Sequence, residues 1–499
     1  MSDKSKPTKP IKLSAISQWD YETDVAIVGY GGAGACAAIE AADAGCEVML
    51  LEQASAGGGS TEMSSAEIYM GGSGGTRVQR ATGHEEDTQN MKDFLMACFG
   101  ENADAAKVDA YCENSLDHFN WLVDKGVPFK DTEYKFRAIM ATTDDCLLFT
   151  GNEKAHPFRN IAKPVARGHN LYVEGDNGGP LFFNIMRKNI DERAEQINVC
   201  YETRVLTLVV DDSKASPEIV GCVIRKDMKE YTVRARKGVV LCAGGFTMNE
   251  EMMKKHAPKY VFDGVMPLGN PGDTGTGILM GQGVGAAVTN MAECFITVPF
   301  YPPATMTYGI FVNDKGQRFI NEDCYHARVG DSLLDQLATS ERCYLIVDVE
   351  AYGDYEAGNY LMASVVGTGE TIEELAKEIN VPVEALAANL NFYNDHAAKG
   401  EDPLYHKHEA WLRKLEAPFV ALDVTPGNGP FYPRFTLGGL DTLPSGEVLT
   451  PEGDVIPGLY AAGRTTAGIP RTAKGYGSGM SVGDATFFGR QAGISVASR

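Results

Sequence analysis

Asp24-Val25-Ala26-Ile27-Val28 runs without a break into Gly29-Tyr30-Gly31-Gly32-Ala33-Gly34, and these eleven residues decide the fold. The apolar pentapeptide is the kind of run that a buried parallel strand shows. The glycines follow at G-x-G-x-x-G spacing, and a small-residue segment from Ala35 to Ala44 reads as a helix. A second strand, Glu47-Val48-Met49-Leu50-Leu51, then ends at an acid, Glu52. Strand, glycine turn, helix, strand and terminal acid within about 30 residues form a dinucleotide-binding unit. Gly29 permits the tight turn, Gly31 admits a pyrophosphate and Gly34 lets the helix pack on the strand. The helix N-terminus supplies its dipole and free N–H groups, and Glu52 is placed for a ribose hydroxyl.

Beyond this unit the 55 glycines of the 499-residue chain cluster again at 57–59, 71–75, 272–281 and 475–489, where backbone has to approach a ligand closely. Helical periodicity runs from about Glu86 to Asp124, followed by an irregular stretch. Asn198 to Val210, Ile219 to Ile224 and Tyr231 to Ala235 read as strands. Lys237 to Gly245 reads as a return to the first sheet that ends in glycines. From Cys294 to Phe431 glycine turns thin out and Thr371 to Ala398 reads as helical. The expected architecture is α/β: a Rossmann-like domain over 21–293 and 432–499, preceded by a polar segment over 1–20. It is interrupted by a smaller α+β capping domain over 294–431.

The net charge of −22 disfavours nucleic acid and anionic membranes, whose phosphates would be repelled. No run approaches 18 apolar residues, so no transmembrane segment is expected. Eleven scattered cysteines without a C-x-x-C pair read as reduced thiols, and with no export signal the expected address is the cytoplasm.

Between NAD and FAD, three features favour FAD: Gly57-Gly58-Gly59-Ser60-Thr61 directly after the acid, Gly244-Gly245 ending a later strand, and Pro457 to Gly463 late in the chain. With CAGGF at 242–246 and Asn249 after it, GDTGTGILMG at 272–281, GQRFINE at 316–322, TLGGL at 436–440 and FFGRQAG at 487–493, the span from Asp24 to Gly493 resembles the FAD-dependent fumarate reductase/succinate dehydrogenase flavoprotein superfamily. Its 3-ketosteroid dehydrogenase branch, of Δ4-(5α) type, is the most similar. The resemblance implies an FAD-binding domain of glutathione-reductase type. It also implies FAD contacts from Gly29, Gly31, Gly32, Ala33, Gly34, Glu52, Gln53, Gly59, Ser60 and Thr61. Further contacts follow from Val205, Ala243, Gly244, Asp273, Gly463, Arg464, Ser478, Met480 and Ser481. No histidine near Ser60 is of the kind that links FAD covalently, so the cofactor is expected to be non-covalent.

The substrate rests on departures. The dicarboxylate-binding histidine of fumarate reductases is replaced in Arg434-Phe435-Thr436, and Asp323-Cys324-Tyr325-His326 follows Asn321-Glu322. Tyr476-Gly477-Ser478 resembles the Tyr-x-Ser of the Δ4-(5α) branch, and Tyr325 its second tyrosine. The resemblance therefore implies Tyr476 at the C3 carbonyl of a 3-ketosteroid, and Ser478 with Tyr325 taking the C4 proton. Only one dinucleotide fingerprint is present, so no NAD site is evident and the expected electron acceptor is external, a quinone, dye or carrier protein. Chemistry beside a ketone suits these types, because a phenol stabilises a developing enolate without placing a full charge in an apolar pocket. The alternatives are the reverse reduction, a Δ1-dehydrogenase, a reductase of an unsaturated acid, or a non-catalytic flavin carrier. The acid would need Arg434, Arg471 and Lys474 at the flavin. His326 is a further acid–base candidate, and His406-Lys407-His408-Glu409 reads as a solvated helix rather than a metal clip.

Overall fold

The structure, a computed structural model, describes residues 4–213 and 217–499. Residues 1–3 of the expected N-terminal segment lie outside them. At its centre are parallel strands in the spatial order Ile197–Cys200, Val48–Leu51, Tyr21–Val28, Lys229–Leu241 and Val455–Ala461. Val25 to Val28 and Val48 to Leu51 are buried continuously, as a sheet covered on both faces requires. The glycine turn opens the helix Gly32–Asp43, which starts three residues earlier than the composition alone suggested. Against it lies the last helix, Met480–Ser498. A Cβ at Gly489 would fall 2.5 Å from the Ala33 carbonyl oxygen, and one at Gly493 would fall 2.4 Å from that of Ala37. Two glycines four apart thus let the two helix backbones touch.

Several expected elements are redrawn. Regular structure begins before Tyr21, because Ile11–Lys12 pairs in parallel with Val209 and Val210. The strand expected over 198–210 is two, Ile197–Cys200 and Arg204–Asp211, separated at Glu202 with a positive φ of 51°. Conversely, the two strands expected between Tyr231 and Gly245 are one, Lys229–Leu241, whose register shifts between Ala235 and Gly238. The helix expected over 371–398 is also two, Ile372–Glu378 and Val383–Ala397, interrupted at Pro382, which has no N–H to continue the ladder.

A second, antiparallel sheet orders Ile310–Asn313, Cys343–Asp348, Phe419–Asp423 and Val365–Gly369. Side chains alternate between its faces. Ile310, Val312, Tyr344, Ile346, Phe419 and Ala421 pack under the two helices of 372–397, whereas Phe311, Leu345, Val347, Val420 and Leu422 join the main core. A smaller three-stranded sheet of Val265–Pro267, Tyr432–Thr436 and Cys294–Ile296 lies along the chain boundaries on either side of the second sheet, and it carries part of the site.

Candidate active site

Leu51, Val28, Leu241 and Ala461 stand side by side in register. The residues that follow them, Glu52, Gly29, Cys242 and Ala462, therefore open one crevice at the carboxyl ends of the strands, where such sheets bind ligands. The crevice continues as a cavity of about 680 Å³. Gly29 has φ of +103°, and a Cβ there would strike the Cys242 carbonyl oxygen. At Gly34 a Cβ would lie 1.9 Å from the Gly29 carbonyl oxygen. Gly31 differs: a Cβ would meet nothing nearer than 3.7 Å, so its missing side chain leaves room on the cavity side. Glu52 accepts hydrogen bonds from the N–H groups of Tyr30 and Ala54, both at 2.8 Å, which ties the glycine turn to the second strand. Three distant loops meet where Ser60 Oγ donates to Asp273 at 2.9 Å and Arg464 Nη2 donates to Ser60 Oγ at 2.6 Å and pairs with Asp273. Gly244, with φ of +76°, is required beside them, since a Cβ would lie 2.0 Å from Asp273 Oδ1.

Of the cofactor residues expected from sequence, all line this cavity except Gly34 and Met480. Gly34 serves helix–strand packing, and the Met480 sulfur accepts from the Gly477 N–H at 3.3 Å. The residues present fit a flavin dinucleotide. The cavity offers a cradle at Gly31, and two helix N-termini, at Gly31 and Gly479, carry no side-chain cap. The Arg464 Nη1 is buried without a partner among the described residues.

At the cavity's other end Tyr325, Tyr476 and Ser478 converge. Phe295 and Phe435 are cross-strand partners of the small sheet, stacked 4.5 Å apart, and the Tyr476 ring stands edge-on to Phe295 at 4.6 Å. Strand alternation that turns Phe435 toward the cavity turns Arg434 away from it. Tyr476 Oη donates to Ser481 Oγ at 2.9 Å, and burial pushes its pKa up to about 12. Tyr325 stands immediately before the helix His326–Gln336; its ring lies 6.3 Å from that of Tyr476, and burial raises its pKa well above the ordinary phenol value. Both phenols are therefore neutral donors at physiological pH. His326 is neutral too, since burial drives its pKa down to about 3. Its Nδ1 is engaged with Thr297 Oγ1.

The supporting residues lie in the stretch that the sequence left irregular. Asn152 Oδ1 accepts from the Tyr325 N–H at 2.9 Å, and its Nδ2 donates to the carbonyls of Lys474 and Tyr476 at 3.3 and 3.5 Å. Ser478 N–H donates to the Thr150 carbonyl at 2.9 Å, and the Thr150 hydroxyl donates back to the Ser478 carbonyl at 3.0 Å. Thr150-Gly151-Asn152-Glu153 is thus a clamp joining both tyrosine-bearing loops. Arg137 adds to it, donating to the carbonyls of Asp323 and Cys324 at 2.9 and 2.7 Å. A buried carboxyl, Glu67, also lines the cavity beside Ser478. No motif announced these residues.

Two of the three cationic candidates are paired elsewhere, and the third, Arg434, is buried on the side of its strand that faces away from the cavity. Arg471 pairs with Asp104 at 3.1 Å, and Lys474 with Asp335 at 2.6 Å. None of Arg434, Arg471 and Lys474 lines the cavity. The segment 406–409 is not a solvated helix: Lys407 is fully buried, 3.2 Å from Glu322.

Fold and site together define a flavin-dinucleotide protein with a second, phenol-lined chamber. Residues 24–480 match the family described as FAD binding domain, and the chain belongs to that family of FAD-dependent oxidoreductases. Within it, the chain is similar over 98% of its length, at 39% identity and a TM-score of 0.91, to the whole of 3-ketosteroid-Δ4-(5α)-dehydrogenase from Rhodococcus jostii RHA1, solved in complex with 4-androstene-3,17-dione. The 3-oxo-5-alpha-steroid 4-dehydrogenase of Comamonas testosteroni is 26% identical over 89% of this chain and 93% of its own. An NADH:fumarate oxidoreductase of Klebsiella pneumoniae is 27% identical over 95% of this chain, which spans about half of that protein's length, 48%. The superfamily resemblance read from the glycine motifs, and FAD as cofactor, hold. Among the described residues no helix is long and apolar enough to cross a membrane.

Proposed function

We propose that this protein introduces a C4–C5 double bond into saturated 3-ketosteroids. The observation that carries the reading is the chamber wall: Tyr325, Tyr476 and Ser478 on a surface of Phe295, Phe435, Pro299 and Pro302, with Arg434, Arg471 and Lys474 all absent from it. A rigid apolar ketone suits such a wall. A dicarboxylate does not, because it needs several cations.

The glycine turn, Glu52 and the Ser60–Asp273–Arg464 group would hold FAD non-covalently, and the bound flavin would supply the acceptor for the hydride that leaves C5. Tyr476 donates a hydrogen bond to the C3 carbonyl oxygen, keeping its proton, and stabilises the enolate character that develops there. Ser478 takes the acidic C4 proton with Tyr325 beside it. The phenols stay protonated throughout the neutral range, so the carbonyl always meets a donor. An external acceptor, a quinone or carrier protein, would complete the reaction, and the reduced thiols expected from the sequence fit a cytoplasmic address.

The test is anaerobic absorbance of the purified protein with 5α-androstane-3,17-dione. Loss of the oxidised-flavin band with a 4-ene product is the expected result. A 1-ene product would move the protein to the Δ1 reaction. Reoxidation of pre-reduced flavin by a Δ4-ketosteroid, with no bleaching in the forward direction, would reverse the direction.

A further inference from the structure

A neutral serine is a poor base, and in the reaction proposed above Ser478 must pass on the proton it receives. We propose that Glu67 is the terminal acceptor of that proton, receiving it through the Ser478 hydroxyl. The inference rests on the steroid reading and specifies where its proton goes.

The backbone fixes Glu67 against Ser478. Gly479, with φ of +87°, brings its own backbone onto residues 67–69: a Cβ there would lie 2.8 Å from the Tyr69 nitrogen and 3.2 Å from the Glu67 carbonyl carbon. The Tyr69 N–H donates to the Gly479 carbonyl at 3.1 Å. Gly168 makes room on the other side, since a Cβ there would lie 2.4 Å from Glu67 Oε1. The carboxyl is 1% exposed and lines the cavity. The Ser478 and Thr150 hydroxyls are its polar neighbours, yet neither oxygen has a well-formed hydrogen bond, and the Thr150 proton is already committed to the Ser478 carbonyl.

Its neighbours are satisfied and it is not. Glu153 accepts from Tyr69 Oη at 3.0 Å and the Gly151 N–H at 2.9 Å, and Glu86 is paired with the buried Arg167. A carboxyl buried without a cation is costly to ionise, which a purely structural role does not explain. The titratable groups facing it are Glu153, Tyr325 and Tyr476. Both phenols are neutral, and Glu153 adds to burial in pushing the Glu67 pKa up to about 8.

The step balances. The C4–H bond breaks and its electron pair forms the C4=C5 bond. The proton goes to Ser478 Oγ as the Ser478 O–H proton goes to a Glu67 oxygen. The C5 hydrogen leaves with two electrons to FAD. Glu67 must be ionised to receive, so the rate of substrate-driven flavin reduction rises about tenfold between pH 7 and pH 9 for a group of pKa about 8.

The test compares holoenzyme and Glu67→Gln, which keeps shape and loses the acceptor, by stopped-flow absorbance across pH and by infrared spectroscopy. Expected for Glu67→Gln are flavin content unchanged, KM little changed, a rate lower by about 10²-fold or more, and a pH rise that disappears. Glu67→Asp should restore a pH-dependent part of the rate. Independently of turnover, the wild-type holoenzyme should show the carbonyl stretch of a protonated carboxyl at pH 6 that vanishes by pH 10 and is absent in Glu67→Gln. A Glu67→Gln enzyme with the wild-type rate and pH profile overturns the proposal, as does a wild type without the titrating band. If Glu67→Gln fails to hold FAD, the wild-type pH profile and infrared band decide. Failure of the steroid reading shows in the wild type before any substitution, as flavin that the ketosteroid does not bleach, and takes this proposal with it.

Discussion

The hydroxyl of Tyr476 is separable from the rest of the side chain. The ring is held by Phe295 and Phe435, aromatic contacts worth about 0.5–1.5 kcal/mol each, and its backbone carbonyl by Asn152. Only the oxygen reaches Ser481 and, in the proposed reaction, the substrate carbonyl. Tyr476→Phe should therefore fold, keep FAD and bind a 3-ketosteroid with a similar Kd, while flavin reduction slows by about 10²–10³-fold, the usual cost of one donor to a developing oxyanion. Stopped-flow bleaching at saturating steroid measures this, and an unchanged rate would remove the phenol from the chemistry. Tyr476 and Ser478 were visible in the sequence because a short motif carries them. Asn152 and Glu67 were not, since an asparagine in an irregular stretch and a glutamate before a two-residue strand acquire their roles only when residues more than 170 positions away close over them.

Among the elements, the strand–turn–helix of 21–43 was the most legible, because each of its requirements is local. Alternatives such as Lys229–Leu241 were misread as two strands because Arg236 and Lys237 interrupt the apolar run while the backbone continues past them. The glycines of the turn do different jobs, and the difference is measurable. At Gly34 a Cβ would meet backbone at 1.9 Å, but at Gly31 it would stand 3.7 Å from the nearest atom, beside the cavity. Gly31→Ala should thus fold with a Tm of the FAD-free protein close to wild type and bind FAD weakly. Gly34→Ala should lose both stability and FAD, because the helix can no longer reach the strand. Thermal unfolding of FAD-stripped protein beside FAD titration separates the two, and an equal loss of Tm in both variants would refute the distinction.

Taken as a whole, the chain joins two hydrophobic cores across its second sheet, each face of which belongs to a different one, and a buried charge network lies beside that sheet. Arg318 forms paired hydrogen bonds to Glu322 at 3.0 and 2.7 Å and to Asp402 at 2.8 and 2.9 Å, while Lys407 lies 3.2 Å from Glu322. Two cations meet two carboxylates in the dry interior. Asn321-Glu322 was legible only as a superfamily signature and Lys407 as a solvated residue, since burial is a property of the packed chain and not of the local run. Burial alone would raise the carboxyl pKa of Glu322 and of Asp402, but the cations outweigh it and hold both below their ordinary values. A depressed carboxyl contributes stability that is complete above the unfolded pKa, about 4, and is lost as pH falls through the folded one. Glu322→Gln leaves two buried cations with one carboxylate, at a cost of about 3–5 kcal/mol. Its Tm should therefore lie well below wild type, by an almost constant gap from pH 6 to pH 8. The gap should narrow below pH 4, where wild type loses the same interaction by protonation. Thermal unfolding followed by circular dichroism across that range reads both, and a gap that stays the same down to pH 3 would show that the network's charge does not hold the second sheet in place.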